Sequence, residues 1–159
     1  KKKFFWNREA DLAGHNFRMP NHLAALGISQ LKKLKKFNKI RRKIARSYDK
    51  FLNKFPNAFT IQRINKNLTH SYQMYTVLVD KRKRNNFLYF LKKNGVDASV
   101  HFDPPLHQQK YLKKYTSRLP NTEILAKELV TLPIYPNLHK KNINKIFKII
   151  KNWYKKNYK

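Results

Sequence analysis

With 159 residues the chain is long enough for about one domain and a modest core, and 41% hydrophobic content with 14% aromatics excludes a disordered basic tail. Its formal net charge is +29 at pH 7, and it has no cysteine, which excludes a disulfide framework and a thiolate metal site. No apolar run approaches the roughly 18 residues of a membrane span, and the basic N-terminus lacks the apolar core of a signal peptide. A cytoplasmic location is the expectation.

The charge admits two accounts. One is a basic surface that neutralises phosphates. The other is compositional, because Lys, Asn, Ile, Phe and Tyr are the residues of AT-rich codons. The lysines are spread over the expected solvent faces of helices, and the aromatics fall on the apolar faces. Binders of nucleic acid interleave the two for stacking. The compositional account is therefore preferred, and a noncatalytic module binding nucleic acid or another polyanion is the alternative.

In chain order, residues 1–19 read as a loop or short extended segment. Pro20 suits the first turn of a helix. Leu23, Leu26, Leu31, Leu34, Phe37, Ile40, Ile44, Tyr48 and Phe51 then recur at intervals of three to five residues. That spacing predicts a long amphipathic helix, bent or broken around Phe37-Asn38 and ending near Pro56. A connecting loop follows to residue 69. Ser71 to Asp80 reads as a strand covered on both sides.

Lys83 to Asn94 is predicted as a short helix with Phe87, Leu88 and Leu91 inward, closed by Gly95. Val96 to Phe102 reads as a second strand, and Asp103-Pro104-Pro105 as a turn. His107 to Tyr115 reads as a short helix, Asn121 as the cap of a helix through Lys127, and Thr131 to Ile134 as a brief extended segment. Asn142 to Tyr158 is a final amphipathic helix with Ile143, Ile146, Phe147, Ile150 and Trp153 on one face. The order predicts a small α/β (α+β) domain in which helices cover a sheet of few strands.

Three segments carry a more specific signal. Gly14-His15-Asn16-Phe17-Arg18-Met19-Pro20 leads into Leu23-Ala24-Ala25-Leu26-Gly27. Gly95-Val96 is followed by His101-Phe102, Pro105, His107 and Gln108, and later comes Leu129-Val130-Thr131-Leu132-Pro133-Ile134-Tyr135-Pro136. In order and spacing these resemble the Gly-x-Asn-x-Arg-Met, Gly-Ile-x-x-x-x-His-Tyr-x-x-Pro-x-His-x-Gln and Leu-Ser-Leu-Pro-Leu-Tyr-Pro segments of the DegT/StrS family. Its members are pyridoxal-phosphate-dependent sugar aminotransferases.

The resemblance implies the C-terminal part of a fold-type-I aminotransferase. Residues 1–19 would close the cofactor-binding domain and form an interface loop, 20–56 a long connecting helix region, and 57–159 the small C-terminal domain. It implies a homodimer with the active site at the interface, a nucleotide-linked keto-sugar as substrate and an amino acid, glutamate, as donor. The lysine that holds pyridoxal 5'-phosphate as a Schiff base would lie upstream of Lys1, so this chain alone should be inactive. A parent that has lost this lysine and does other chemistry on sugars is a further alternative.

Residue by residue, the family places Asn16 across the dimer interface on the phosphate of the partner subunit's cofactor. An amide suits that task because it donates to an anionic oxygen without adding charge. Arg18 either organises the same loop or approaches a phosphate or carboxylate through its planar fork. His101, His107 and Gln108 belong to the segment that borders the sugar pocket, although a histidine at a strand end is more often a satisfied structural side chain. His70-Ser71-Tyr72 is read as strand entry and packing. No metal site is expected, because the six histidines show no ligating pattern. Neither a membrane span nor a specific nucleic-acid partner is expected.

Overall fold

The computed structural model describes residues 14, 15, 17–115 and 117–158. The chain divides into two units, Lys1–Leu34 and Lys35–Lys159.

In the first unit, helix α1 (Asn21–Leu52) begins. Pro20 stands just before it, its carbonyl accepting the N–H groups of Leu23 (3.0 Å) and Ala24 (3.1 Å). The predicted inward stripe is exposed here: Leu23, Leu26, Leu31 and Leu34 are between 47% and 67% accessible. An apolar stripe on a helix signals a partner surface, and the described residues do not supply one.

In the second unit α1 continues without a break. The Phe37, Ile40, Ile44, Tyr48 stripe keeps helical register, and no Pro, Gly pair or bulge is present to kink it. The helix stops at Leu52, earlier than Pro56, because tightened bonds from Lys54 N–H to Phe51 O and Phe55 N–H to Leu52 O close it. The sheet is antiparallel in the order β1 (Thr60–Ile61), β2 (Tyr75–Leu78), β3 (Leu129–Leu132). Val77 pairs with both Ile61 and Val130.

Helices α2 (Lys81–Lys93), α3 (Pro120–Glu128) and α4 (Lys140–Asn157) complete the unit. Short 3-10 turns span Leu106–Gln108 and Lys110–Tyr115 in place of the single helix expected there.

Asp80 starts α2, its Oδ1 accepting the Arg82 N–H at 2.8 Å. Gly95, at φ 75°, ends it. The Gly95 N–H reaches Lys92 O and the Val96 N–H reaches Leu91 O, the paired closure of a glycine-terminated helix. That closure also explains why Val96 to Phe102 is not a strand. Val96 spends its N–H on the helix and Ala98 donates to Val96 O, so only Ser99 bridges to the sheet, opposite Thr131. Asn121 does not cap α3. Pro120 opens that helix with Leu119 at the cap position, and the Glu123 carboxylate takes the Leu119 N–H at 3.1 Å.

The core gathers the inner faces of α1, α2 and α4 with the sheet. Tyr48, Leu52, Val77, Phe87, Leu91, Val130, Leu132, Ile150 and Trp153 are almost wholly buried. The Tyr48 hydroxyl donates to Pro133 O at 3.0 Å, and the Tyr75 hydroxyl donates to Asp49 at 2.6 Å. These two bonds tie α1 to the sheet and to the segment after β3.

Candidate functional site

Asn16 lies outside the described residues. Arg18 belongs to the first unit and is exposed. The second unit holds His101, His107 and Gln108 on one loop between Ser99 and Tyr115, although the His-x-Gln spacing counted from His107 falls on the neighbouring Gln109 rather than on Gln108. Three interactions fix that loop.

His101 Nδ1 lies 3.0 Å from the hydroxyl of buried Thr131 on β3 and 3.4 Å from the Ser99 hydroxyl. Its ring also meets Phe102 edge-on at 5.4 Å. His107 Nε2 sits 3.4 Å from a Glu123 carboxylate oxygen in the first turn of α3. The Leu119 N–H, and then His107, hold that carboxyl below the usual carboxylate range. Each histidine therefore has a structural partner. The hydroxyl nearest His101 belongs to Thr131, which is buried on β3 and closed to a substrate, and His107 faces a carboxylate.

The third anchor is Arg84, buried on α2. Its Nε donates to Lys127 O at 3.0 Å and its Nη2 to Ala126 O at 3.4 Å, and Nη2 also forms an ion pair with Asp103. One guanidinium thus joins α2, the end of α3 and the loop. Sequence reasoning missed it, although the signal was there: Arg84 lies three residues before Phe87 and seven before Leu91, on the inward stripe.

Replacing it with Met keeps bulk and removes the fork. Arg84→Met should cost about 2–4 kcal/mol in urea unfolding, because the carbonyls of buried Ala126 and of Lys127 and a carboxylate lose their donor. Asp103→Asn should cost about 1 kcal/mol or less, since that carboxylate is 37% exposed. Equal losses would shift the weight from the carbonyl anchors to the ion pair.

With these anchors in place, Phe102 and Leu106 are exposed on the loop together with Gln108. Such a rim can contact a ligand through apolar surface and an amide, and orient it. Among the described residues no three His, Cys, Asp or Glu side chains gather to hold a metal ion, and no helix is long and apolar enough to cross a membrane.

The described residues do not by themselves make a site for pyridoxal phosphate. Setting aside Lys113, no lysine among them is buried, whereas a lysine is activated for carbonyl chemistry by desolvation or a neighbouring cation. Arg18 is the only expected phosphate contact that they include.

The architecture is that of fold-type-I aminotransferases. The Helicobacter pylori aminotransferase PseC, involved in the biosynthesis of pseudoaminic acid, matches with a TM-score of 0.81 and 28% identity, over 98% of this chain and 43% of that one. The chain belongs to the DegT/DnrJ/EryC1/StrS aminotransferase family, whose pattern covers residues 1–151.

It is 27% identical over 157 residues to the GDP-perosamine synthase of Vibrio cholerae, covering 96% of this chain and 41% of that protein. It is also 29% identical over 149 residues to the UDP-4-amino-4,6-dideoxy-N-acetyl-beta-L-altrosamine transaminase of Helicobacter pylori, covering 91% and 40%. The chain therefore spans about two fifths of the length of these relatives.

Proposed function

We propose that the chain is the C-terminal part of a pyridoxal-phosphate-dependent aminotransferase. It would move an amino group from an amino acid, glutamate, to a nucleotide-linked keto-sugar, giving an amino sugar for a surface polysaccharide or related glycan. The observation that carries this is the family pattern over residues 1–151, joined to relatives whose names specify nucleotide-linked amino sugars.

Chemistry of this kind rests on the cofactor as an electron sink. The lysine that holds it belongs, on this reading, to the polypeptide before Lys1. Residues 1–19 complete the cofactor domain and the interface loop, 20–56 connect, and 57–159 form the small domain. Asn16 serves the partner subunit's cofactor phosphate in a cytoplasmic homodimer.

The anchored loop with His101, His107 and Gln108 forms one wall of the sugar pocket. Its contribution is to position the sugar and exclude water, since both histidines are committed to the scaffold. The exposed Leu23, Leu26, Leu31 and Leu34 stripe supports the same reading, because the parent enzyme would cover it with the remainder of its fold or with its partner subunit.

The test is amination of a panel of nucleotide-linked keto-sugars with glutamate as donor, followed by 2-oxoglutarate formation. The full-length homodimer should turn over at least one of them, and the purified 159-residue chain none. Turnover by the chain alone, or none by the full-length protein with any sugar, would overturn the proposal.

A further inference from the structure

A groove of about 1010 Å³ in the second unit is lined by α2 and α4: Asn86, Tyr89, Phe90, Lys93 and Asn94 on one side, Asn152, Lys155 and Lys156 on the other. None of these residues belongs to the three family-like segments, and the site lies apart from the aminotransferase reading. Three exposed ammonium groups share the groove, and among the described residues no acidic side chain lines it. Uncompensated cations on one surface favour a polyanion.

The aromatic content narrows the class. Tyr89 is 69% exposed, so its ring is available to a partner. It stands four residues before Lys93 on the same helix face. The Lys156 ammonium lies 5.7 Å from the Phe90 ring centroid. Asn86 accepts the Trp153 Nε1–H on its Oδ1 at 2.7 Å, which orients the amide and leaves its two N–H donors to the groove. The chain also exposes Phe102, Tyr111 and Tyr115, but here an exposed ring, lysines and amide donors line one groove. That combination suits phosphates alternating with flat, unpaired bases.

We propose that the α2–α4 groove binds single-stranded nucleic acid without sequence preference. Phosphates lie on Lys93, Lys155 and Lys156, and a base stacks on Tyr89. A duplex would not serve, because its bases are already stacked and paired.

The test is fluorescence anisotropy of a labelled oligothymidylate of about 12 nucleotides with the full-length protein at about 50 mM salt. Because the chain is so basic, each variant needs a charge-matched control. Lys93→Glu with Lys155→Glu should weaken binding about tenfold or more. Lys32→Glu with Lys36→Glu, the same charge change on exposed residues of α1, should weaken it by less than about threefold.

Tyr89→Ala should weaken oligothymidylate about five- to tenfold, the loss of one stacked base, and should leave inorganic polyphosphate binding unchanged. Tyr111→Ala, which removes an equally exposed ring outside the groove, should change neither. Equal losses from the two lysine pairs would mean diffuse charge and overturn the proposal. An unaffected Tyr89→Ala would reduce the groove to a base-free polyanion site. Competition by a mononucleotide as effective as the oligonucleotide would reassign it to free nucleotides.

Discussion

Trp153→Ala should destabilise the second unit by about 3–5 kcal/mol, a large share of the 5–15 kcal/mol that holds a domain of this size together. The indole is fully buried on α4. Its ring centroid lies 4.5 Å from Phe87, 5.7 Å from Tyr158 and 5.9 Å from Phe59, so it joins α4 to α2 and to the segment before β1. Truncation opens a cavity among rings that cannot close it, and strips Asn86 of the Nε1–H donor at 2.7 Å. Trp153→Phe keeps most of the volume and should cost about half as much. Urea unfolding followed by circular dichroism reads both. A loss under about 1 kcal/mol for Trp153→Ala would show that the core is not built around this side chain.

The second large effect concerns the cofactor rather than the fold. Asn16→Ala in the full-length homodimer should weaken retention of pyridoxal phosphate roughly ten- to a hundredfold, the worth of one hydrogen bond to a charged group, about 1.5–3 kcal/mol. Stability should be unchanged, because the proposed contact is to a ligand and not to the core.

The effect should also act in trans. In a heterodimer pairing Asn16→Ala with a subunit lacking the cofactor-binding lysine, the site that keeps its lysine borrows Asn16 from the other subunit. That site should hold the cofactor normally. If the loss instead followed the mutated subunit's own site, Asn16 would be a turn residue and the interface role would be wrong.

Much of the second unit was legible because its elements carry strong local signals. Gly95 and the Phe87, Leu91 stripe located α2, and the Ile143, Ile146, Ile150, Trp153 stripe located α4. Three features were not legible, each for a physical reason. Strand β1 is two residues long and exists only through its pairing with Leu78 and Val77, so no local periodicity could announce it.

The segment 96–102 has the composition of a strand, but its first donor closes the preceding helix and Ala98 turns back on Val96 O. The stripe of α1 has one helical period throughout, which cannot distinguish a face packed in this chain, around Ile44 and Tyr48, from one left exposed, around Leu26 and Leu31. At the candidate site, the family-like segment located His101 and His107. Their partners Thr131 and Glu123 and the anchor Arg84 come from other elements, and only the fold brings them together.

The central claim is that this chain is the part of an aminotransferase that shapes the site without carrying the cofactor. Borohydride reduction of the full-length protein loaded with pyridoxal phosphate, followed by peptide mapping, tests it most directly. One lysine should be labelled stoichiometrically in the polypeptide before Lys1, and none of the lysines in residues 1–159 should be labelled beyond scattered traces. Setting aside Lys113, no lysine in residues 17–158 is buried, which supports that outcome. A single stoichiometric label within residues 1–159 would contradict it.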